Sequence, residues 1–190
     1  MRVGVLAIQG DVREHRRHLE RLGAAAPEVR RPEDLADLDG LVMPGGESTT
    51  IGLLMQEEGL LAALSERVRD GFPLYGTCAG LILLARDVEG PRPPRLGVMD
   101  ITAARNAFGR QVASFEAQLS VPAVGPEPVA AVFIRAPRIL RMGDGVTPLA
   151  ELNGEVVMAE QGPLLGSTFH PELTDDVRIH AYFLDKVRGA

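Results

Sequence analysis

The chain has 190 residues, 45% of them hydrophobic, and a formal net charge of −6. This composition is typical of an ordered globular protein of one domain (residues 1–190). It argues against nucleic-acid binding, which requires clustered positive charge, and no apolar run reaches the ~18 residues of a membrane span. The single cysteine cannot form an intramolecular disulfide and the N-terminus lacks the long apolar core of a signal peptide, so we expect a cytoplasmic protein.

Short apolar runs alternate with helical patterns in the first half of the chain. Asp11 is a candidate cap for a first helix that ends near Gly23. A second helical segment follows residues 44–46 and offers these side chains to a core: Ile51, Leu53, Leu54, Leu60, Leu61, Leu64 and Val68. Strands are predicted at residues 3–8, 24–29, 40–43 and 74–76, and a further helix at 79–85. The alternation predicts an α/β fold with a doubly wound, mostly parallel sheet and a site at the carboxyl ends of its strands.

The pattern changes after about Val98, where short strands follow one another with turn residues between them. Asn153-Gly154 is a strong hairpin signal. The predicted elements are strands at residues 112–121, 129–134, 146–152, 156–160 and 164–168 and a closing helix at 175–187. We expect antiparallel additions to the sheet.

The only cysteine, Cys78, lies at the centre of the turn Gly76-Thr77-Cys78-Ala79-Gly80. A Gly-x-Cys-x-Gly turn between a strand and a helix is the cysteine form of a nucleophile elbow, in which a Cβ at either glycine would clash with neighbouring backbone. The helix N-terminus favours the thiolate, which is the reactive form of cysteine. The competing interpretation is an inert, buried cysteine.

The segment His170-Pro171-Glu172 supplies a base and an acid for this nucleophile. Pro171 holds His170 extended, and side chains two apart in an extended segment point the same way. Glu172 can therefore bind one ring nitrogen and leave the other for sulfur. Alone, the tripeptide is more often a turn with a solvated acid; together with the elbow it predicts a thiol enzyme that attacks a carbonyl.

Attack on an amide produces an oxyanion, which requires backbone N–H donors. The N–H of Ala79 is one candidate, and Gly46 at the end of the third strand is the second. An ordinary turn at residues 44–46 is the alternative, with Ser48 or Thr49 acting only as a helix cap.

These residues together resemble the class I (triad) glutamine amidotransferases, and within them the glutaminase subunits of pyridoxal phosphate (vitamin B6) synthase. The matching segments span nearly the whole chain in the order of the family. They are residues 4–10 (GVLAIQG), 44–50 (PGGESTT), 75–80 (YGTCAG), 105–111 (RNAFGRQ), 114–116 (SFE), 133–137 (FIRAP) and 168–173 (TFHPEL).

The resemblance implies a flavodoxin-like fold and hydrolysis of L-glutamine to L-glutamate and ammonia through a cysteine thioester. It assigns catalysis to Cys78, His170 and Glu172, without a cofactor or a metal. It also implies a separate synthase subunit, assembled as a large ring, that receives the ammonia; the helix at residues 11–21 is our candidate docking face. The glutamine pocket that it implies consists of Gly46, Glu47, Ser48, Arg105, Ile134 and Arg135.

Three alternatives stay open. A glutaminase of another amidotransferase, such as imidazole glycerol phosphate synthase, would share the triad and differ in residues 105–111 and in its docking surface. A thiol peptidase or stress-response protein would share the elbow, but we would not expect Glu47 and two arginines around its pocket. A scaffold subunit with a decayed site conflicts with the intact triad.

Overall fold

A computed structural model describes residues 1–105 and 114–190 of the chain. The helices in these ranges are α1 (Val12–Arg21), α2 (Ser48–Glu57), α3 (Leu60–Arg69), α4 (Ala79–Leu84) and α5 (Arg178–Arg188). The strands are β1 (Val3–Leu6), β2 (Glu28–Val29), β3 (Gly40–Met43), β4 (Leu74–Thr77), β5 (Ala85–Glu89), β6 (Met99–Ala104), β7 (Ser114–Leu119), β8 (Val129–Ile134), β9 (Arg138–Met142), β10 (Thr147–Leu152), β11 (Glu155–Gln161) and β12 (Leu164–Ser167). None of the helices in the described ranges has the length and apolarity that a membrane crossing requires.

A seven-stranded sheet in the order β10-β11-β12-β4-β3-β1-β2 forms the centre of the molecule. The five strands from β12 to β2 are parallel, while β10 and β11 are added antiparallel. The Asn153-Gly154 turn joins the two antiparallel strands, and both of its residues have positive φ (53° and 81°), as a two-residue hairpin turn of this kind requires. The predicted parallel sheet with antiparallel additions is confirmed.

Two smaller sheets flank the large one. Strands β5, β6 and β9 form the first, and β7 pairs with β8 in the second. The sequence predicted β7 and β8 as strands, although residues 112–113 of the predicted range lie outside the described residues. It did not predict β5, β6 or β9. Strand β5 follows α4 directly, with no turn residue to separate Leu84 from Ala85.

The core lies on both faces of the large sheet. One side carries α2, α3, α4 and the three-stranded sheet; the other carries α1, α5 and the β7–β8 pair. One sequence prediction was wrong here: Leu53 and Leu54 are exposed rather than part of the core, because they lie on the outer face of α2. Besides Leu19, α1 buries the side chains of His15 and His18, while Val12 and Leu22 are partly buried against the same core.

The elbow after β4 depends on close backbone contacts at its two glycines. A Cβ at Gly76 would lie 2.5 Å from the carbonyl group of Gly80, and one at Gly80 would overlap the carbonyl oxygen of Met43. The predicted steric role of both glycines is confirmed. Between them Cys78 has φ 49° and ψ −104°, a backbone conformation that a residue with a side chain rarely adopts.

Candidate active site

Cys78, His170 and Glu172 meet at the carboxyl ends of β4 and β12. The N–H of Cys78 donates to the carbonyl of Ser167 at 2.9 Å, which ties the elbow to β12. The N–H of His170 donates to the carbonyl of Val132 at 2.8 Å, which fixes the histidine backbone against β8. The Nδ1 atom of His170 lies 2.7 Å from Oε1 of Glu172. The structure thus brings together the three residues predicted as a triad.

The electrostatics of the three groups reinforce one another. Burial disfavours the charged form of His170, but hydrogen bonds with Cys78 and Glu172 outweigh it and raise the pKa of His170 to about 10. Burial would likewise raise the pKa of Glu172, but His15 and His170 outweigh it and hold that pKa below its usual range. Because His170 can hold a proton beside a carboxylate, the arrangement favours transfer of the thiol proton to the imidazole.

The end of β8 borders Cys78. The sulfur of Cys78 lies 3.9 Å from the carbonyl oxygen of Ile134. The next residue, Arg135, is exposed and has a left-handed φ of 43°. Non-glycine residues in this conformation are uncommon and often mark functional sites. Ile134, one of the predicted pocket residues, therefore contacts the sulfur through its backbone.

The turn after β3 packs directly on His170. A Cβ at Gly45 would overlap Cε1 of His170, and a Cβ at Gly10 would overlap the carbonyl oxygen of Gly45. Gly46, the predicted oxyanion donor, has φ 145°, where glycine is favoured. The side-chain oxygen of Gln9 accepts the N–H of Glu47 at 2.9 Å and holds this turn against the end of β1.

Glu47 caps the N-terminus of α2. Its carboxylate accepts the N–H groups of Thr49 (3.1 Å) and Thr50 (2.8 Å), and Arg105 donates to it at 2.7 Å. Burial acts against ionisation, but these backbone hydrogen bonds outweigh it and lower the pKa of Glu47 to about 2. The cap of α2 is therefore Glu47. The alternative that Ser48 or Thr49 caps this helix is wrong, and Ser48 is buried.

Asp11 lies at the predicted N-cap position of α1, but its side chain does not cap the helix as expected. Its side chain makes no capping hydrogen bond, and Oδ2 lies 3.6 Å from Nδ1 of His170. Burial, followed by repulsion from Glu172, raises the pKa of Asp11. Asp11, His170 and Glu172 are the one group of acidic and histidine side chains in the described residues with ligand atoms close enough to share an ion. The hydrogen bond within the triad already accounts for the approach of His170 and Glu172.

Sequence reasoning missed the histidines that lie behind the triad. Nε2 of His15 is 3.4 Å from Oε1 of Glu172, and its Nδ1 is 2.8 Å from Nε2 of His180. His18 follows, with Nδ1 3.2 Å from Nδ1 of His180. The spacing of His15 and His18 on one helix face was the only available signal, and it did not reveal that α5 brings His180 between them.

With this geometry in place, comparison with known proteins decides the family. The model described as "SNO glutamine amidotransferase family" matches residues 5–189. The chain belongs to the SNO glutamine amidotransferase family.

Curated relatives match the chain over nearly all of its length. A protein of Carboxydothermus hydrogenoformans (strain ATCC BAA-161 / DSM 6008 / Z-2901), named "Pyridoxal 5'-phosphate synthase subunit PdxT", is 56% identical over 187 residues and covers 98% of both chains. A protein of the same name from Niallia circulans is 54% identical, with 100% of both chains covered.

Solved structures share the fold. One described as "Crystal structure of glutamine amidotransferase" aligns with a TM-score of 0.94 and 52% sequence identity, covering 98% of both chains. The predicted class I glutamine amidotransferase fold is confirmed. Of the segment at residues 105–111, which carried part of the resemblance, only Arg105 lies within the described residues.

Proposed function

We propose that this SNO-family chain is the glutaminase subunit of a pyridoxal 5'-phosphate synthase. It hydrolyses L-glutamine to L-glutamate and ammonia and passes the ammonia to a separate synthase subunit. The observation that carries the chemistry is the contact of Cys78, His170 and Glu172 at the sheet edge. The named relatives, which match over nearly their full length, support the pathway. We propose further that residues 1–190 act as one glutaminase domain.

Catalysis begins with transfer of the Cys78 thiol proton to His170. The thiolate attacks the side-chain carbonyl carbon of glutamine, and the C–N bond breaks as His170 returns the proton to the departing ammonia. Water then attacks the thioester, again with His170 as base, and releases glutamate and the thiol. Throughout, Glu172 accepts the Nδ1–H of His170, which orients the ring and stabilises its charged form.

The oxyanion formed in both steps requires two backbone donors. We assign these to the N–H groups of Ala79 and Gly46. Ala79 follows the nucleophile at the start of α4, where the N–H groups of the first turn are free of helical partners. Gly46 lies in the turn that contacts His170 through Gly45, so the donor and the base are parts of one packed unit.

The residues that we assign to glutamine itself surround this unit: Gly46, Glu47, Ser48, Arg105, Ile134 and Arg135. A carboxylate suits the α-ammonium of the substrate and a guanidinium suits its α-carboxylate. The Glu47–Arg105 pair already places one group of each charge side by side at 2.7 Å. Glu47 is also the cap of α2, so substrate binding and helix capping share one carboxylate.

The synthase partner needs a docking surface near the site, and we propose α1 for it. Its outer face carries both charges, on Arg13, Glu14, Arg16, Arg17 and Glu20. Its inner face contacts the triad through His15. We propose that one glutaminase docks on each subunit of a large synthase ring. Only α1 would then separate the contact with the partner from the active site.

The decisive experiment measures glutamate release from glutamine with and without a purified pyridoxal phosphate synthase subunit. We expect release to depend on that partner, and Cys78→Ala to abolish it, since no other group in the described site can form the thioester. The matched control, Arg188→Ala, changes an exposed residue far from the site and should leave the rate unchanged.

Three results would contradict the proposal. The first is glutamine-dependent synthesis by the Cys78→Ala protein. The second is activation by the synthase of imidazole glycerol phosphate in place of that of pyridoxal phosphate. The third is hydrolysis of a peptide without any response to glutamine.

A further inference from the structure

All four histidines of the chain belong to one hydrogen-bonded series. His170 contacts Glu172, Glu172 contacts His15, His15 contacts His180, and His180 contacts His18. The series ends where Nε2 of His18 lies 3.0 Å from the carbonyl oxygen of Thr174. The triad uses only its first members. His15, His18 and His180 are fully buried, and the proposed mechanism gives them no role.

The far end of the series determines which ring nitrogens carry hydrogen. A carbonyl oxygen can only accept, so Nε2 of His18 must donate to Thr174. In a neutral ring the other nitrogen is then an acceptor, so Nδ1 of His180 must carry the hydrogen between these two rings. Nε2 of His180 is in turn an acceptor, and Nδ1 of His15 must donate to it. Each hydrogen position follows from the one before.

This argument holds because His18 and His180 are neutral. Burial lowers the pKa of both histidines, that of His180 well below its usual value. The charged and titratable side chains that surround the three rings lie just before and within α1, in β4 and between β12 and α5, while α5 contributes His180 itself. They are Asp11, Arg17, Arg21, Tyr75, Glu172 and Asp176.

At the end of the series near the triad, one hydrogen position is still open: Nε2 of His15 is either protonated or not. That atom lies 3.4 Å from the Glu172 carboxylate and 3.3 Å from the hydroxyl oxygen of Thr77. With Nδ1 already protonated, Nε2 can donate to Glu172 only if His15 is an imidazolium. A neutral ring could accept the Thr77 hydroxyl at Nε2, but its lone pair would also face the buried oxygen of Glu172, which is repulsive.

We propose that His15 is a positioning residue of the triad, whose protonated Nε2 holds the Glu172 carboxylate while His180 and His18 fix the orientation of its ring. His15 and His170 then contact the same oxygen, Oε1, from two sides. Glu172 is prevented from turning away from His170 when the imidazole gains or loses its proton. This inference rests on the proposed glutaminase function.

The cluster is not arranged as a metal site. His180 presents Nε2 to His15 and Nδ1 to His18, so its two neighbours lie at opposite sides of one ring. A single ion contacts only one nitrogen of each ring and could not join the three. The nitrogen–nitrogen distances of 2.8 and 3.2 Å fit hydrogen bonds between the rings.

Two substitutions at His15 separate its two contacts. In His15→Gln the amide nitrogen can occupy the place of Nε2 and still donate to Glu172, whereas in His15→Asn it can occupy the place of Nδ1 and donate to His180. We expect kcat of the complex with the synthase to stay within about threefold for His15→Gln and to fall roughly tenfold to a hundredfold for His15→Asn. KM should change little, since His15 does not contact the substrate site.

A purely structural role for His15 predicts equal losses in the two variants, and equal losses would overturn the proposal. So would a larger loss for His15→Gln. Leu64→Ala is the control for destabilisation alone, because Leu64 is buried on α3 across the sheet. It should lower the melting temperature without changing kcat below that temperature.

A second measurement uses the wild-type chain alone and requires neither substrate nor any variant. Nitrogen-15 NMR of the imidazoles in the wild-type chain should show hydrogen on both nitrogens of His15, on Nε2 of His18 and on Nδ1 of His180. An unprotonated Nε2 on His15 would overturn the proposal. Because this spectrum does not depend on glutamine or on the synthase, it separates a failure of this inference from a failure of the glutaminase assignment.

Discussion

Gly45 is the residue at which a single added methyl group should stop catalysis. It has no left-handed φ, so an alanine is allowed by its backbone, but the new Cβ would overlap Cε1 of His170. We expect Gly45→Ala to displace the imidazole from Cys78 and to lower kcat by about a hundredfold, the cost of a catalytic group misplaced by ~1 Å. Steady-state glutamate release in the presence of the synthase measures this effect.

Gly145→Ala is the matched control for that substitution. Gly145 is exposed, also lacks a left-handed φ, and a Cβ there would meet only the side chain of Gln161, at an ordinary 3.5 Å. Its activity should equal that of the unchanged chain. Near-normal activity in Gly45→Ala would mean that the turn moves away from His170 at little cost, and the assignment of Gly46 as a fixed oxyanion donor would lose its support.

Single residues differed in how well the sequence could predict them. The proximity of Cys78, His170 and Glu172 was predictable, because the glycines around Cys78 and the proline after His170 constrain the backbone locally. Asp11 and His15 were not, because their partners are more than 150 positions away and only the packing of α1 brings them together. Rules of helix periodicity also count histidine as polar, so they do not predict the burial of His15 and His18.

At the scale of the element, the N-terminus of α2 joins helix stability to the active site. Glu47→Ala removes the acceptor for two backbone N–H groups and the partner of Arg105. We expect a loss of about 1–2 kcal/mol in the free energy of unfolding, almost all of it from the cap, since an exposed ion pair adds little. KM for glutamine should rise as well. Urea unfolding and steady-state kinetics measure the two effects.

Glu47→Gln separates these contributions. The amide oxygen can still accept an N–H of the first turn, but the negative charge is gone. Stability should fall by about half as much as for Glu47→Ala, while KM rises similarly in both if the charge binds the ammonium group of glutamine. An unchanged KM in both variants would remove Glu47 from the substrate site and leave it as a cap.

Elements were predicted well where local signals are strong. Strands β3 and β8 were predicted with their observed bounds, because apolar runs there end at glycine, proline or arginine. The strands of the three-stranded sheet were missed because β5 continues directly from α4 and because β9 is rich in arginine. A strand that pairs at the edge of a small sheet needs no continuous apolar run, so its sequence does not distinguish it from a loop.

For the molecule as a whole, the triad should shape the dependence of stability on pH. The pKa of His170 rises from 6.5 to about 10 on folding, so its contribution is complete below pH 6.5 and is lost as the pH rises toward about 10. The pKa of Glu172 falls below 4.5, so its contribution is present above pH 4.5 and is lost as the pH falls below it. His180, with a lowered pKa, adds a loss below pH 6.5.

Cys78→Ala tests the alkaline side of this prediction. A hydrogen bond with Cys78 is one of the interactions that raise the pKa of His170, so the variant should lose less stability than the unchanged chain between pH 6.5 and about 10. The acid side should be the same in both. Urea unfolding across both ranges measures this, and an identical alkaline loss in the two proteins would show that Cys78 does not stabilise the imidazolium.

The burial of every histidine has a consequence for chemical footprinting. Diethyl pyrocarbonate acylates accessible imidazoles, and here the histidine residues are at most 5% exposed, with His170 as the most accessible. The intact fold should therefore be nearly inert to this reagent. Acylation of His170 would report a local opening of the cleft. Acylation of His15, His18 or His180 would require a larger motion, in which α1 and α5 separate.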